Sequence, residues 1–294
     1  MNVNIRLYQP VVICLGLLLC SCSRRQTGPE TTFSLTDLQA DFRQLRTLIA
    51  DYHPKTFSNW RELDSAFDRQ QKLLRDDMTA VEFLRAVTPG LSKVRCGQTR
   101  LYFSDSLRAA LQSTAHHLPF DIRLVRDSLF VLEAYGENAA VLPASTVLSI
   151  NGQPAAEIVD EIKARLPADG YNDTYKDFQI NGSFRSKYFT CIGSPEEFVL
   201  VFIHPDGGIV DTAVVSAMMP VQIARSLEGE DIDPDSEEEP VEWSFDEGNR
   251  FATLRVRFFD FYDDLDQFIE MIDGFFAEVR QREIGSLILD LRGN

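Results

Sequence analysis

Positive charge is in short supply in this chain. Twenty-nine Lys and Arg stand against 45 Asp and Glu, a formal net charge of −16. So acidic a surface cannot neutralise phosphates, which excludes nucleic acid and anionic membrane as partners. Histidine is scarce too: His53, His116, His117 and His204 are the four. His116 and His117 are adjacent and would face opposite ways in a strand, and no spaced third and fourth ligand accompanies them. No metal and no cofactor is therefore predicted. Of the five cysteines, only Cys96 and Cys191 lie beyond the first 22 residues. An oxidising compartment would permit one disulfide between them, and the sequence does not say whether they meet. Long apolar runs are missing as well. "VVICLGLLL" is too short to cross a membrane as a mature helix.

That run has another use. Arg6 supplies a thin positive start, and "LCSC", Leu19 to Cys22, resembles a bacterial lipobox. Leu stands at −3 and Ser at −1 before Cys22. Cys20 is the poorer choice because Leu19 would occupy its −1 position. Residues 1–21 are thus expected to be a lipoprotein signal peptide, with Cys22 as the lipid-bearing first residue and 22–32 as a polar tether. Several acyl chains anchor more firmly than one. No acidic cluster follows Ser23, so the expected place is the outer membrane, facing the periplasm.

Three regions follow. Residues 33–105 carry helical periods and form a helical N-terminal domain. Thr36 and Gln39 are in capping-box register, and Leu38, Phe42, Leu45, Leu48 and Ile49 share a face. Pro54 ends that helix. Trp60, Leu63, Phe67 and Leu74 mark a second helix, and Thr79 with Glu82 opens a third. Residues 116–220 change period. "LPFDIRLV", "SLFVLEAY", "TVLSINGQ", "EFVLVFI" and "IVDTAVV" read as strands, with turns at Asn151-Gly152 and "HPDGG". One amphipathic helix, through Ile158, Val159, Ile162 and Leu166, is expected among them. This is a small β-rich binding module. Between Glu228 and Glu242 nine acids occur with no base. Residues 226–242 read as a solvated linker, and their spacing matches no calcium loop. From residue 243 to 294 the pattern is strand, helix, strand. "SLILDL" is apolar at nearly every position, which suits a parallel strand covered on both faces. One such βαβ unit needs more sheet beside it, so this region reads as an incomplete α/β domain. The fold class expected is α+β multidomain.

Three stretches carry a family resemblance. "LILDLRGN" resembles the "DLRxN" strand end of the tail-specific, or C-terminal-processing, serine peptidases. "VLSINGQPAAEI" resembles the start of a PDZ-type strand and helix. "RCGQTRL", Arg95 to Leu101, resembles that family's "DGHTRL" stretch. The family-motif positions are therefore Cys96, Gly97, Gln98 and Thr99, then Asp290, Leu291, Arg292, Gly293 and Asn294. The resemblance implies a helical cap, a PDZ-like module and the beginning of a peptidase domain, cut before the nucleophilic serine. The family's glycine turn after "DLRxN" contributes to the oxyanion hole, and here only Arg292 to Asn294 represent it. Gln98 stands where the family has His, and an amide cannot serve as a base.

The resemblance implies an exported lipoprotein whose complete form hydrolyses peptide bonds, selecting peptide or protein substrates by their C-terminal ends. This chain by itself is expected to be inactive, with no catalytic residue of its own. The alternative is a non-catalytic lipoprotein that binds peptides through the PDZ-like module, and a decayed gene is a third reading. Cys96 beside Gly97 lacks an identifiable base, and His53 reads as a helix-terminal residue.

Overall fold

The computed structural model describes residues 28–54, 59–136, 141–227, 240–246, 248, 250–259 and 265–292. The protein is a mixed α+β chain that divides into two compact units, 1–229 and 230–294.

The first unit opens with β1 (Thr32–Phe33), α1 (Leu35–Tyr52), α2 (Trp60–Gln71), β2 (Met78–Thr79) and α3 (Ala80–Leu91). Helix α1 is capped by Ser34, whose side chain accepts from the Asp37 N–H. The expected cap, Thr36, falls inside the first turn instead. Ser34 precedes the first helical residue, so only its hydroxyl can reach back onto the free N–H groups. Thr79 and Glu82 do form a reciprocal capping box on α3. Phe42, Leu45, Leu63, Phe67 and Val87 close a core between these helices. Gly90 makes the closeness of α2 and α3 possible. A methyl group there would meet Gln70 Cγ at 2.9 Å and Phe67 Cδ1 at 3.0 Å. A 3-10 turn (Ser92–Val94) and α4 (Asp105–Leu111) follow.

Then come β3 (Phe120–Val125), β4 (Ser128–Ala134), β5 (Thr146–Ile150), β6 (Gln153–Pro154), α5 (Ala155–Lys163), α6 (Asp173–Gly182), α7 (Phe184–Cys191), β7 (Glu197–Ile203), β8 (Val210–Ser216) and α8 (Pro220–Leu227). The strands lie in the order β3-β4-β5-β7-β8, with β6 folded back on β5. Asn151 (φ 50°) and Gly152 (φ 77°) make the two-residue turn between β5 and β6, as both positive angles demand. One sheet face is apolar. Ile122, Leu129, Val147, Phe198, Leu200 and Val215 pack there against Ile158, Ile162, Ile180, Phe184 and Tyr188. The module carries three helices rather than the single one expected. Helices α6 and α7 are short, their apolar residues include aromatics, and their period is too weak to stand out in the sequence.

The second unit is β9 (Val241–Phe245), β10 (Phe251–Val256), α9 (Leu265–Gln281) and β11 (Ser286–Asp290). Strand β10 lies between an antiparallel β9 and a parallel β11. The parallel pair was legible in the sequence, and β9 was not, because its first residues belong to the acidic stretch. Phe275 is fully buried against Val241, Ala252, Leu254 and Val256. As an unfinished βαβ unit implies, β11 is not covered on both faces: Leu287, Ile288 and Leu289 are 45%, 48% and 54% exposed. β11 is an edge strand here, and β10 is its one neighbour among the described residues.

Candidate functional site

The positions singled out in "RCGQTRL" form a pinned turn within the first unit. Arg95 is left-handed at φ 58°, and its carbonyl accepts from Gly170 N–H at 3.0 Å. Gly97 N–H donates to Asp169 Oδ1 at 2.7 Å. Thr99 is buried, and its N–H returns to the Cys96 carbonyl at 3.1 Å. Arg100 donates to the Gly97 carbonyl and to the Tyr175 hydroxyl. Gln98 is exposed at the tip. This turn fastens the helical part to α6 and the segment before it. Nearby, Arg85 on α3 donates to the carbonyls of Phe189 and Thr190, where a cation suits the end of α7.

Cys96 and Cys191 are both free thiols. Burial pushes the Cys191 thiol up, which suits a packed residue and not a nucleophile. Asp290 closes the end of β11. Its carboxylate accepts the Arg292 N–H and two guanidinium N–H groups, and this pairing holds its pKa well below the usual range. Leu291 is exposed. Cys22, Gly293 and Asn294 lie outside the described residues. The two motif stretches belong to different units. His53 is the C-terminal cap residue of α1, and burial lowers its pKa. His117 pairs through its backbone with Met218 and stacks on Phe189 with centroids 5.0 Å apart. Burial and then the Arg185 charge push it down to about 4. Among the described residues no serine hydroxyl is hydrogen-bonded to a histidine ring or a lysine amine.

The sheet edges of the first unit are unlike each other. On β3 the Leu124 N–H and carbonyl are both taken by the side-chain amide of Asn181, at 2.7 and 3.0 Å. Asn181 imitates a strand and closes that edge. Strand β8 is the other edge. Val199 on β7 exchanges hydrogen bonds with Asn151, on the β5 side. Alternation then turns Phe198, Leu200 and Phe202 towards their β8 partners Val215, Ala213 and Asp211. It follows that Val210, Thr212, Val214 and Ser216 direct their backbone N–H and C=O groups outward. One hydrogen bond bears this out: Thr212 N–H donates to Asp211 Oδ1 at 2.7 Å, not to β7. Asp211 Oδ2 faces His204 Nε2 at 3.3 Å. Around this ladder Ile209, Val210 and Val214 are 64%, 59% and 63% exposed. The "HPDGG" turn made the β7–β8 hairpin legible. That β8 is the open edge depends on strand order and on α6, neither of which local pattern reveals.

No family model matches the chain, and no curated protein does. Solved structures give distant likenesses to CPAF. Mature CPAF complexed with lactacystin has a TM-score of 0.48 and 11% identity over 87% of this chain and 56% of that one. Mature CPAF without that partner gives 0.46 and 11% over 87% and 55%. The chain thus spans little more than half the length of the structures it matches, and the likeness is one of backbone path at a distance.

Proposed function

We propose that this chain is the peptide-holding part of an exported lipoprotein related to the tail-specific serine peptidases. It binds extended peptides by adding them as a strand beside β8. The observation that carries this is the contrast between the edges: Asn181 fills β3, while β8 offers four outward residues flanked by exposed aliphatic side chains. An added strand satisfies those backbone groups, and its alternate apolar side chains cover Val199 and Val214. Asp211 partly guards the edge, since an incoming carbonyl must displace its carboxylate from the Thr212 N–H. The second reading, binding without hydrolysis, is favoured by the lack of a serine–base hydrogen bond among the described residues. Preference for C-terminal ends belongs to the proposal as well.

Thr212→Pro tests it. The lost N–H points away from β7, so the hairpin stays intact. Anisotropy of labelled apolar peptides should show affinity falling about tenfold, roughly 1.4 kcal/mol. Equal binding by the variant sinks the edge assignment. Wild-type protein should bind these peptides without cleaving them, and turnover abolished by a mutation in this chain would overturn the non-catalytic reading. Cys22→Ala should abolish lipid labelling and release the protein from membranes; labelling that persists removes the anchor from the proposal.

A further inference from the structure

A cavity of about 250 Å³ lies within the first unit, lined from α3, residues 99–103, residues 165–167, α6 and α7. Its charged lining is one-sided. Arg100, Arg108, Arg165 and Lys187 contribute four cations, and no Asp or Glu contributes. In a chain of net charge −16 this runs against composition. Leu84, Leu91, Leu101, Phe103 and Leu166 supply apolar lining. We infer that this cavity binds a small amphipathic carboxylate, one negative head on a short apolar chain.

The bonding around the cations points to the head. Arg165 pairs through Nη2 with Glu161 at 3.0 Å, yet its Nε is buried without a partner. Thr88 Oγ1 is buried without a partner as well. Arg108 is tied to Asp105 at 2.7 Å, with 64% of its side chain exposed. Lys187 is the critical group. Among the described residues no carboxylate stands within ion-pair distance of it, and its neighbours are the neutral Cys191 thiol and the Arg100 guanidinium. Burial is the main influence that lowers its pKa, with Arg100 adding to it. An ammonium withdrawn from water beside another cation is costly unless an anion joins it. A carboxylate in the cavity would supply the missing counter-charge to Lys187, with the Arg100 and Arg165 guanidinium groups lining the same space. The apolar lining residues suit a short chain. The inference is independent of the β8 edge, which shares no residue with this cavity.

Calorimetric titration of the full chain with octanoate, and with octan-1-ol as the uncharged control, tests it. Octanoate should bind at least tenfold more tightly than octanol. Lys187→Met should remove that advantage while leaving octanol unchanged, and Lys187→Arg should restore it. Equal binding of the two probes, or an unaltered octanoate affinity in Lys187→Met, overturns the inference. Should Lys187→Met fold poorly, wild-type protein answers instead: octanoate must protect Lys187 from reductive methylation, read by mass spectrometry, and undiminished methylation overturns the proposal. A leucine-ended peptide, as free acid and as amide, separates the sources of the carboxylate. Competition by the acid in a protein that ignores octanoate would also overturn it. Thr212→Pro should leave octanoate binding as it is.

Discussion

His117 is where one residue's chemistry reaches furthest. It is 8% exposed, stacked on Phe189, and faces a cavity of about 430 Å³ that Arg108 and Arg185 also line. No carboxylate lines that cavity, so a proton on the ring would gain no counter-charge there. Its pKa in the folded protein, about 4, lies below the ordinary 6.5. A depressed histidine leaves the unfolded chain binding more protons, so stability is complete above 6.5 and lost as pH falls towards 4. The loss across that window is about 3 kcal/mol, from ~1.4 kcal/mol per pH unit. His117→Phe keeps the stacking and abolishes the titration. Urea midpoints at pH 7, 5.5 and 4.5 should therefore fall more steeply for wild type than for the variant. Parallel pH profiles would refute the assignment. The sequence marked His117 only as a residue next to His116; its burial depends on Met218 and Phe189, both far along the chain.

At the scale of elements, the strong local signals were legible and the weak ones were not. The Thr79–Glu82 capping box is present because both partners lie within four residues and need no tertiary help. On α1 the pattern pointed to Thr36, but Ser34 is the cap, and the helix begins two residues earlier than the Thr36 reading. Ser34 also donates to Asp37 Oδ2 at 2.7 Å, and Leu35 N–H is held by Asp76. That last contact spans 41 residues and cannot be read from the helix alone. Ser34→Ala should cost about 1 kcal/mol and Thr36→Ala less than about half of that. The check is the unfolding midpoint of the first unit, and the reverse ranking would return the cap to Thr36. Five strands of the module were legible from alternation and turns. Their order was not, and so neither was the contrast between a closed β3 edge and an open β8 edge. The motif resemblance located the 95–101 turn, while its work here, fastening α6 to the helical part, follows from Asp169, Gly170 and Tyr175.

At the scale of the whole molecule, the boundary between the units, Gly229/Glu230, falls inside the acid-rich stretch that the sequence set apart. Eight acids and one isoleucine among residues 228–240 offer almost nothing to bury, whereas each unit has a core of its own. The first unit is the better closed. Its two main clusters are joined by the Arg85 contacts, the Ser92–Ala164 hydrogen bond and the pinned 95–101 turn. Among the described residues the second unit keeps one fully buried aromatic, Phe275, and leaves Leu287, Ile288 and Leu289 of β11 and Leu265, Ile269 and Phe276 of α9 exposed. Stability per unit follows buried apolar area, so the two should differ in resistance to opening. Limited digestion with a Glu-specific protease should cut first between Glu228 and Glu242. A fragment holding residues 33–220 should persist, while the fragment after Trp243 disappears with time. Mass spectrometry of the time course distinguishes the orders. If the later fragment outlasts the earlier one, the first unit does not fold by itself, and the β8 edge and the basic cavity would have to be tested only in the intact chain.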